Sequence, residues 1–348
     1  MRYSRYWHGL WALLTCCAVV ACSFEPTPAP TATDCRQVSH VLGESEICGT
    51  PEQVVALDAH SLDLLLSLGQ QPAGTLTILP TQSDIIEQPR TAIPYLGDYI
   101  TTQPVNIGGI GGGPSLEVLT QLKPDLIVGE SRYIEETSDL LTQIAPTLPL
   151  DIRSQKGKWR DNIRALAQAL GDETWAEAAI ESYQQQVAAA RADLASVLET
   201  QPKVLVLTAE SLSLGSFQAI TAASFIGELL EAVGFELVYP PNSTTNAAPL
   251  SIEILPDLDA ADSVFVLGYN RDLAQPGEAT AGTDPNTLMQ QQVAGIEAEW
   301  TGNEIAQSLT ASQENRVYFT TFYQWNLFNG PIGTELILAD LRQFFLTS

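Results

Sequence analysis

Short runs of apolar residues alternate along the chain with longer segments whose apolar positions recur every three or four residues. VVALD (54–58), DLIVG (125–129), VLVLTAE (204–210), SVFVLG (263–268) and VYFTTF (317–322) are short and rich in branched side chains, which predicts buried strands. SLDLLLSLG (61–69), SDLLTQIAP (138–146), KWRDNIRALAQALG (158–171) and GTELILADLRQFFL (333–346) carry the helical period. The longest helical segment, DETWAEAAIESYQQQVAAARADLASVLE (172–199), has an acidic start and no Gly or Pro. Its Trp175, Ile180, Val187 and Leu194 recur at near-heptad spacing. At ~1.5 Å per residue it would reach roughly 40 Å, enough to lie along two lobes. Strands separated by helices favour α/β architecture with parallel sheets.

The two halves echo each other. Ser115-Leu116-Glu117-Val118-Leu119 precedes the strand DLIVG and then Arg132, and Ser251-Ile252-Glu253-Ile254-Leu255 precedes SVFVLG and then Arg271. VVALDAHSLDLLLSLG is answered by VLVLTAESLSLGSF and, after it, FIGELLEAVG. The predicted fold is therefore two similar α/β lobes joined by a single long backbone helix, with a ligand cleft at the carboxyl ends of the strands. The expected boundaries are an N-terminal lobe at 35–171, the inter-lobe helix at 172–199 and a C-terminal lobe at 200–348.

The first 34 residues stand apart. Arg2 and Arg5 lead into an apolar run from Leu10 to Ala21 that is too short to span a bilayer and has the layout of an export signal (1–21). Val19-Val20-Ala21-Cys22 resembles a bacterial lipobox, which implies lipidation of Cys22; an ordinary signal cut near Ala21 is the alternative. The Pro/Thr/Ala-rich stretch 22–34 reads as a tether. Loss of the signal would also remove Cys16 and Cys17. With Cys22 lipidated, Cys35 and Cys48 remain, and an even pair in an exported domain reads as a disulfide worth about 3 kcal/mol.

Charge narrows the partners. The net charge of −25 becomes −27 without Arg2 and Arg5, and the only lysines are Lys123, Lys156, Lys158 and Lys203. Such a field repels nucleic acid, so no nucleic-acid partner is expected.

The glycine run IGGIGGGP (107–114) invites a phosphate-loop reading and fails it. Pro-Ser-Leu-Glu follows Gly113, with no Lys-Ser or Lys-Thr for phosphate and magnesium. Counted as a dinucleotide motif from Gly109 and Gly111, the third glycine falls on Pro114. A cleft-side turn leading to the helix with Glu117 fits better. Metal ligation is poorly served: of the three histidines, His8 lies in the signal, His40 in a leading strand or hairpin, and His60 opens the first long helix of its lobe. No G-x-S-x-G elbow is present and histidines are too few for a nucleophile–base pair, so no enzyme is expected. What remains are aromatic and arginine residues beyond strand ends: Arg132 and Tyr133, Phe217, Tyr269 and Arg271, Tyr323 and Trp325, with His60 as a polar cleft candidate. A guanidinium offers a planar fork to carboxylate, catecholate or hydroxamate oxygens, and Tyr or Trp an apolar face. Trp159, opening a helix, reads as packing.

PEQVVALDAHSLDLLLSLGQQPAG, PSLEVLTQLKPDLIVGESRY, AASFIGELLEAVGF, LSIEILPDL and ENRVYFTTFYQWNLFNGPIGTELILADL, in this order, resemble the iron-siderophore substrate-binding proteins of ABC importers. That group has a rigid helical backbone and includes cobalamin and haem binders. The resemblance covers about residues 36–346. It implies a non-enzymatic, monomeric, lipid-anchored receptor outside the cytoplasmic membrane or in the periplasm, without a cofactor, whose ligand is a ferric siderophore. It also implies permease docking through Glu117 and Glu253, and ligand contact through Arg132. Arg271 matches less closely, because a longer insertion follows it. Cobalamin or haem binding within the same family, and a sensory or docking lipoprotein without transported ligand, are the competing readings.

Overall fold

The computed structural model describes residues 34–77, 84–109, 113–212, 217–269 and 284–347; the expected signal, Cys22, most of the tether and Arg271 lie outside them. Residues 35–348 make one compact unit. Among the described residues, no helix is long and apolar enough to cross a membrane.

The unit opens with an antiparallel hairpin, β1 (Cys35–His40) and β2 (Gly43–Cys48), whose register places Cys35 opposite Cys48, and these two form a disulfide. Val38 and Ile47 turn inward and are buried in the core that also holds the helix Lys158–Leu170. Arg36 and Ser45 donate to the carbonyls of Ala169 and Thr147.

Two sheets follow. The first comprises β3 (Val54–Ala56), β4 (Gly74–Thr77), β5 (Val105–Gly109), β6 (Gly113–Pro114), β7 (Leu126–Glu130) and β8 (Thr147–Leu150), in the order β6-β5-β4-β3-β7-β8. All its neighbours are parallel except β5 and β6. The second comprises β9 (Lys203–Ala209), β10 (Phe217–Ile220), β11 (Glu236–Leu237), β12 (Ala247–Leu250), β13 (Ser263–Gly268) and β14 (Val317–Thr321), in the order β12-β10-β9-β13-β14 with β11 against β9. Of the strands read from continuous apolar runs, β3, β7, β9 and β13 are buried almost throughout, as parallel strands covered on both faces require, whereas β14 is half-buried.

The sequence echo between halves is a structural one. Asp125, just before β7, accepts the backbone N–H groups of Glu52 and Gln53 just before β3 (2.8 and 2.9 Å). Asp262, just before β13, accepts that of Lys203, the first residue of β9 (2.9 Å). Each carboxylate fixes the register of the central parallel pair in its own sheet. The echo breaks in the intervening helices. Ser115 caps an α-helix, Leu116–Leu122, whereas Pro256 holds Ile252–Leu258 to a 3-10 helix.

Between the sheets the chain runs through Lys158–Leu170, capped by Gly171 in the left-handed region, and then Thr174–Asp193. The latter is shorter than the unbroken helix expected over 172–199. Leu194, fully buried, departs from helical geometry (φ −93°, ψ 7°), and a short helix, Ala195–Thr200, follows. Ile180, Tyr183, Val187 and Ala190 face the core shared with the C-terminal helix Pro331–Leu346 and with Phe225–Val233. Past β14 the chain leaves the second sheet: Tyr323, Phe328 and Ile332 pack with Leu62, Leu66 and Leu96 beside the first.

Candidate functional site

β3 and β7 are neighbours, yet the chain leaves β3 to build β4 and β5 on one side and later returns as β7 and β8 on the other. A reversal of this kind opens a crevice at the carboxyl ends of the strands. An open cleft lies there. Leu57, Leu76 and Leu327 supply apolar walls, and Gly113 and Pro114, at the end of the glycine run, also line it.

Its polar floor is a bonded network. Asp58 follows β3 and caps the helix Ala59–Ser67, accepting the Ser61 N–H on Oδ1 (2.8 Å) and the Glu130 N–H on Oδ2 (2.7 Å). Gly129 permits this approach, because a Cβ there would lie 2.9 Å from the Cβ of Leu57. Glu130, completely buried, accepts the Arg153 backbone N–H on Oε1 (2.8 Å) and the Arg153 guanidinium on Oε2. Arg153 Nε donates onward to the Asn326 carbonyl (2.9 Å). Arg132 Nη2 stands 3.2 Å from Glu130 Oε2, but its side chain is 40% exposed. Its guanidinium lies over the Tyr133 ring (4.5 Å) and donates to the phenolic oxygen (2.8 Å). Arg153 is thus sealed into the floor, while Arg132 and Tyr133 reach solvent.

Burial, with the charge of Glu130 beside it, pushes the Asp58 carboxyl up to about 6. Burial pushes Glu130 the same way, but its cationic neighbours, Arg153 foremost, outweigh this and hold it below the usual carboxylate range. His60 borders the cleft with no free nitrogen. The Phe328 carbonyl can only accept, so Nδ1 carries the proton and donates to it. Nε2 accepts from the Asn162 amide (3.0 Å), whose orientation is fixed because its oxygen accepts the Asp151 N–H. Burial lowers the imidazole to about 4, so it is neutral near pH 7.

Of the residues expected to converge from strand ends, Tyr133 lines the cleft with the exposed Arg132 stacked on its ring, and several others turn elsewhere. Phe217 is buried in the core of the second sheet. Tyr323 is buried against Tyr95 and Phe328. Trp325 is completely buried, its indole N–H donating to Asp340 (2.8 Å) and its ring packed on Phe265. The reason is local: Thr321 ends β14 and at once caps the helix Phe322–Asn326, which rolls these rings into the core. His60 lines the cleft, but both of its ring nitrogens are engaged within the protein. Tyr269 is half-buried, edge-on to Phe322 at 5.0 Å. Glu117 and Glu253 are exposed, each in the first turn of its helix. Trp159 is a buried packing residue, 4.8 Å from Tyr183. Glu130 and Arg153 are not among the residues that the sequence singles out, and Asp58 stands out there only as a weak metal-ligand candidate beside His60. Arg153 does follow a strand end, but Pro149 hides TLPL as a strand.

Residues 54–323 match the family model described as periplasmic binding protein. The chain is 26% identical over 321 residues to the probable siderophore-binding lipoprotein YfiY of Bacillus subtilis, covering 89% of this chain and 88% of that one. It is 25% identical over 334 residues to the Fe(3+)-citrate-binding protein YfmC of the same organism, covering 94% and 93%. Among solved structures it is similar to Staphylococcus aureus SirA complexed with staphyloferrin B, with 26% identity, a TM-score of 0.68, and coverage of 89% of this chain and 98% of that one.

Proposed function

Because the chain belongs to the periplasmic binding protein family, we propose that it is the substrate-binding protein of an ABC importer that captures a ferric siderophore and hands it to the permease. The observation that carries this reading is the cleft at the β3/β7 reversal, with exposed Arg132 and Tyr133 beside a buried, charge-compensated floor. Relatives named as siderophore-binding and Fe(3+)-citrate-binding support the ligand.

In this reading Arg132 neutralises an anionic complex and Tyr133 packs on its organic part. Tyr269 and Arg271 follow β13 as Arg132 and Tyr133 follow β7, and would approach from the second lobe. Glu117 and Glu253 would meet basic residues of the permease. A monomer tethered through a lipid on Cys22, exported to the outer face of the membrane or the periplasm, completes it; relatives named as lipoproteins favour export. The network is suited to binding and release, not to catalysis. Haem is disfavoured by His60, whose nitrogens are both engaged.

Calorimetric titration of the protein with ferric siderophores, haem and cobalamin tests the reading. Micromolar or tighter binding of a ferric complex is expected, weakened in Arg132→Ala; binding of haem or cobalamin alone would overturn it.

A further inference from the structure

We infer that Met289 is a positioning residue for ligand capture: it seats a second-lobe helix in the apolar cluster that backs the cleft wall, and so steadies a wall that it does not line. The assignment rests on the receptor reading above. Met289 is the one methionine of the chain besides Met1.

The helix Pro285–Thr301 belongs to the long segment after Arg271 and is defined locally. Asp284 caps it, accepting the Thr287 N–H (3.0 Å), and Pro285 opens its first turn. Met289, Ile296 and Trp300, at i, i+7 and i+11, share one helix face. All three are buried, yet in different cores. Ile296 and Trp300 join the core of the second sheet, whereas Met289 is set in the cluster of Ile86, Ile93 and Leu96 beside the first. One stripe, roughly 16 Å from Met289 to Trp300, therefore serves both lobes. Gly268, the last residue of β13, lets the helix cross the strand end. A Cβ there would lie 3.2 Å from the Gln292 carbonyl oxygen and 3.2 Å from Cγ2 of Ile296.

The first-lobe segment that receives Met289 is itself held under strain. Its short helix, Pro89–Ala92, packs against Pro285–Thr301. Tyr95 follows with a positive φ (66°, ψ −61°), and the Leu96 N–H donates to the Pro94 carbonyl (2.8 Å), a three-residue turn that is strained for a tyrosine. Such a turn persists only where its surroundings hold it. Here the Tyr95 ring stacks on Tyr323 (6.2 Å) and meets Phe328 edge-on (5.9 Å), and its hydroxyl lies 3.3 Å from Thr321 Oγ1 at the end of β14. Met289, Tyr323 and Phe328 belong to one cluster, and Ala59 and Leu327, which line the cleft, pack against it. With Met289 truncated, the wall would lose part of its backing, and a ligand would have to order on binding what is now ordered beforehand.

Calorimetric titration of the full chain with ferric citrate, ferric enterobactin and ferrioxamine B tests the assignment, with thermal unfolding to show that variants are folded. For the probe that the wild type binds most tightly, Met289→Ala should weaken binding about fivefold or more. Met289→Leu, which restores the volume, should return it to within about twofold. Val264→Ala, a truncation in the core of the second sheet, should lower the unfolding temperature yet keep affinity within about twofold. Hydrogen exchange at the Leu96 and Gly97 amides should quicken in Met289→Ala and not in Val264→Ala. Unchanged affinity in Met289→Ala, a loss that Met289→Leu does not restore, an equal loss in Val264→Ala, or unchanged exchange at those amides would overturn the assignment and leave the receptor reading standing. Binding of none of the three probes by the wild type would overturn both.

Discussion

Arg153 grips Glu130 twice, its backbone N–H on one carboxylate oxygen and its guanidinium on the other. Both side chains are buried. The flanking backbone of Arg153 is held by the second lobe: Phe225 N–H donates to the Ser154 carbonyl (3.0 Å) and Lys156 N–H to that of Ala223 (2.9 Å). One side chain thus ties the cleft floor to a segment that both lobes hold.

Removing the cation should be costly, because Glu130 would be left charged and dry. Arg153→Met is expected to lower unfolding stability by about 3–5 kcal/mol. Urea denaturation measures this, and a loss below about 1 kcal/mol would show that Glu130 is compensated elsewhere.

His60 makes stability depend on acid. Burial holds its folded pKa at about 4, below the ordinary histidine value of 6.5. The unfolded chain therefore binds more protons between these values, and the contribution of His60, complete above pH 6.5, is lost as pH falls toward 4. Asp58 and Asp63, both raised to about 6 by burial, act with opposite sign in the window between about pH 4 and 6. The variant His60→Asn isolates the first effect. Between pH 6.5 and 4 the wild type should lose up to about 3 kcal/mol relative to the variant. A difference independent of pH would contradict a neutral imidazole.

Asp63, in the helix after β3, caps a helix from the far end of the chain. Its carboxylate accepts the Ile332 and Gly333 N–H groups (3.1 and 3.0 Å), and a Cβ at Gly330 would collide with it at 2.8 Å. Asp63→Ala should cost about 1–2 kcal/mol. Asp63→Asn, which keeps an acceptor, should cost less. Hydrogen exchange at the Ile332 and Gly333 amides should quicken in Asp63→Ala; unchanged protection there would mean that the cap does not hold the helix end.

The docking proposed for Glu117 and Glu253 should separate from capture. Glu117→Ala combined with Glu253→Ala, both on exposed first turns, should leave ferric-complex affinity unchanged and abolish iron uptake in cells that carry the permease. Normal uptake by the double variant would remove these residues from the interface.

The central strands were legible because burial on both faces writes continuous apolar runs such as VLVLTAE and SVFVLG. β4 and β5 were not, because GTLT and VNIGG carry Thr, Asn and Gly that mimic loops. The placement of Tyr133 at the cleft, with Arg132 stacked on it, follows from the rule that strand ends face the cleft. That rule cannot say how a helix beginning at once will rotate its side chains, and so Tyr323 and Trp325 went to the core. The floor was illegible for a different reason. Asp58, Glu130 and Arg153 lie far apart along the chain, and the strand pairing alone brings them together.

The chain returns from β14 to lie against the opposite lobe, where His60, Asp63 and Arg153 hold residues 326–333. With the central helices, this makes a second bridge, and a body braced twice behaves as a fixed calliper rather than a closing trap. On the docking proposed above, empty and filled copies would hold Glu117 and Glu253 at one spacing, and a permease could not sort them by outline. Traffic would follow the fraction of receptors carrying cargo, and any proofreading would have to be done on what the cargo itself shows at the mouth of the cleft.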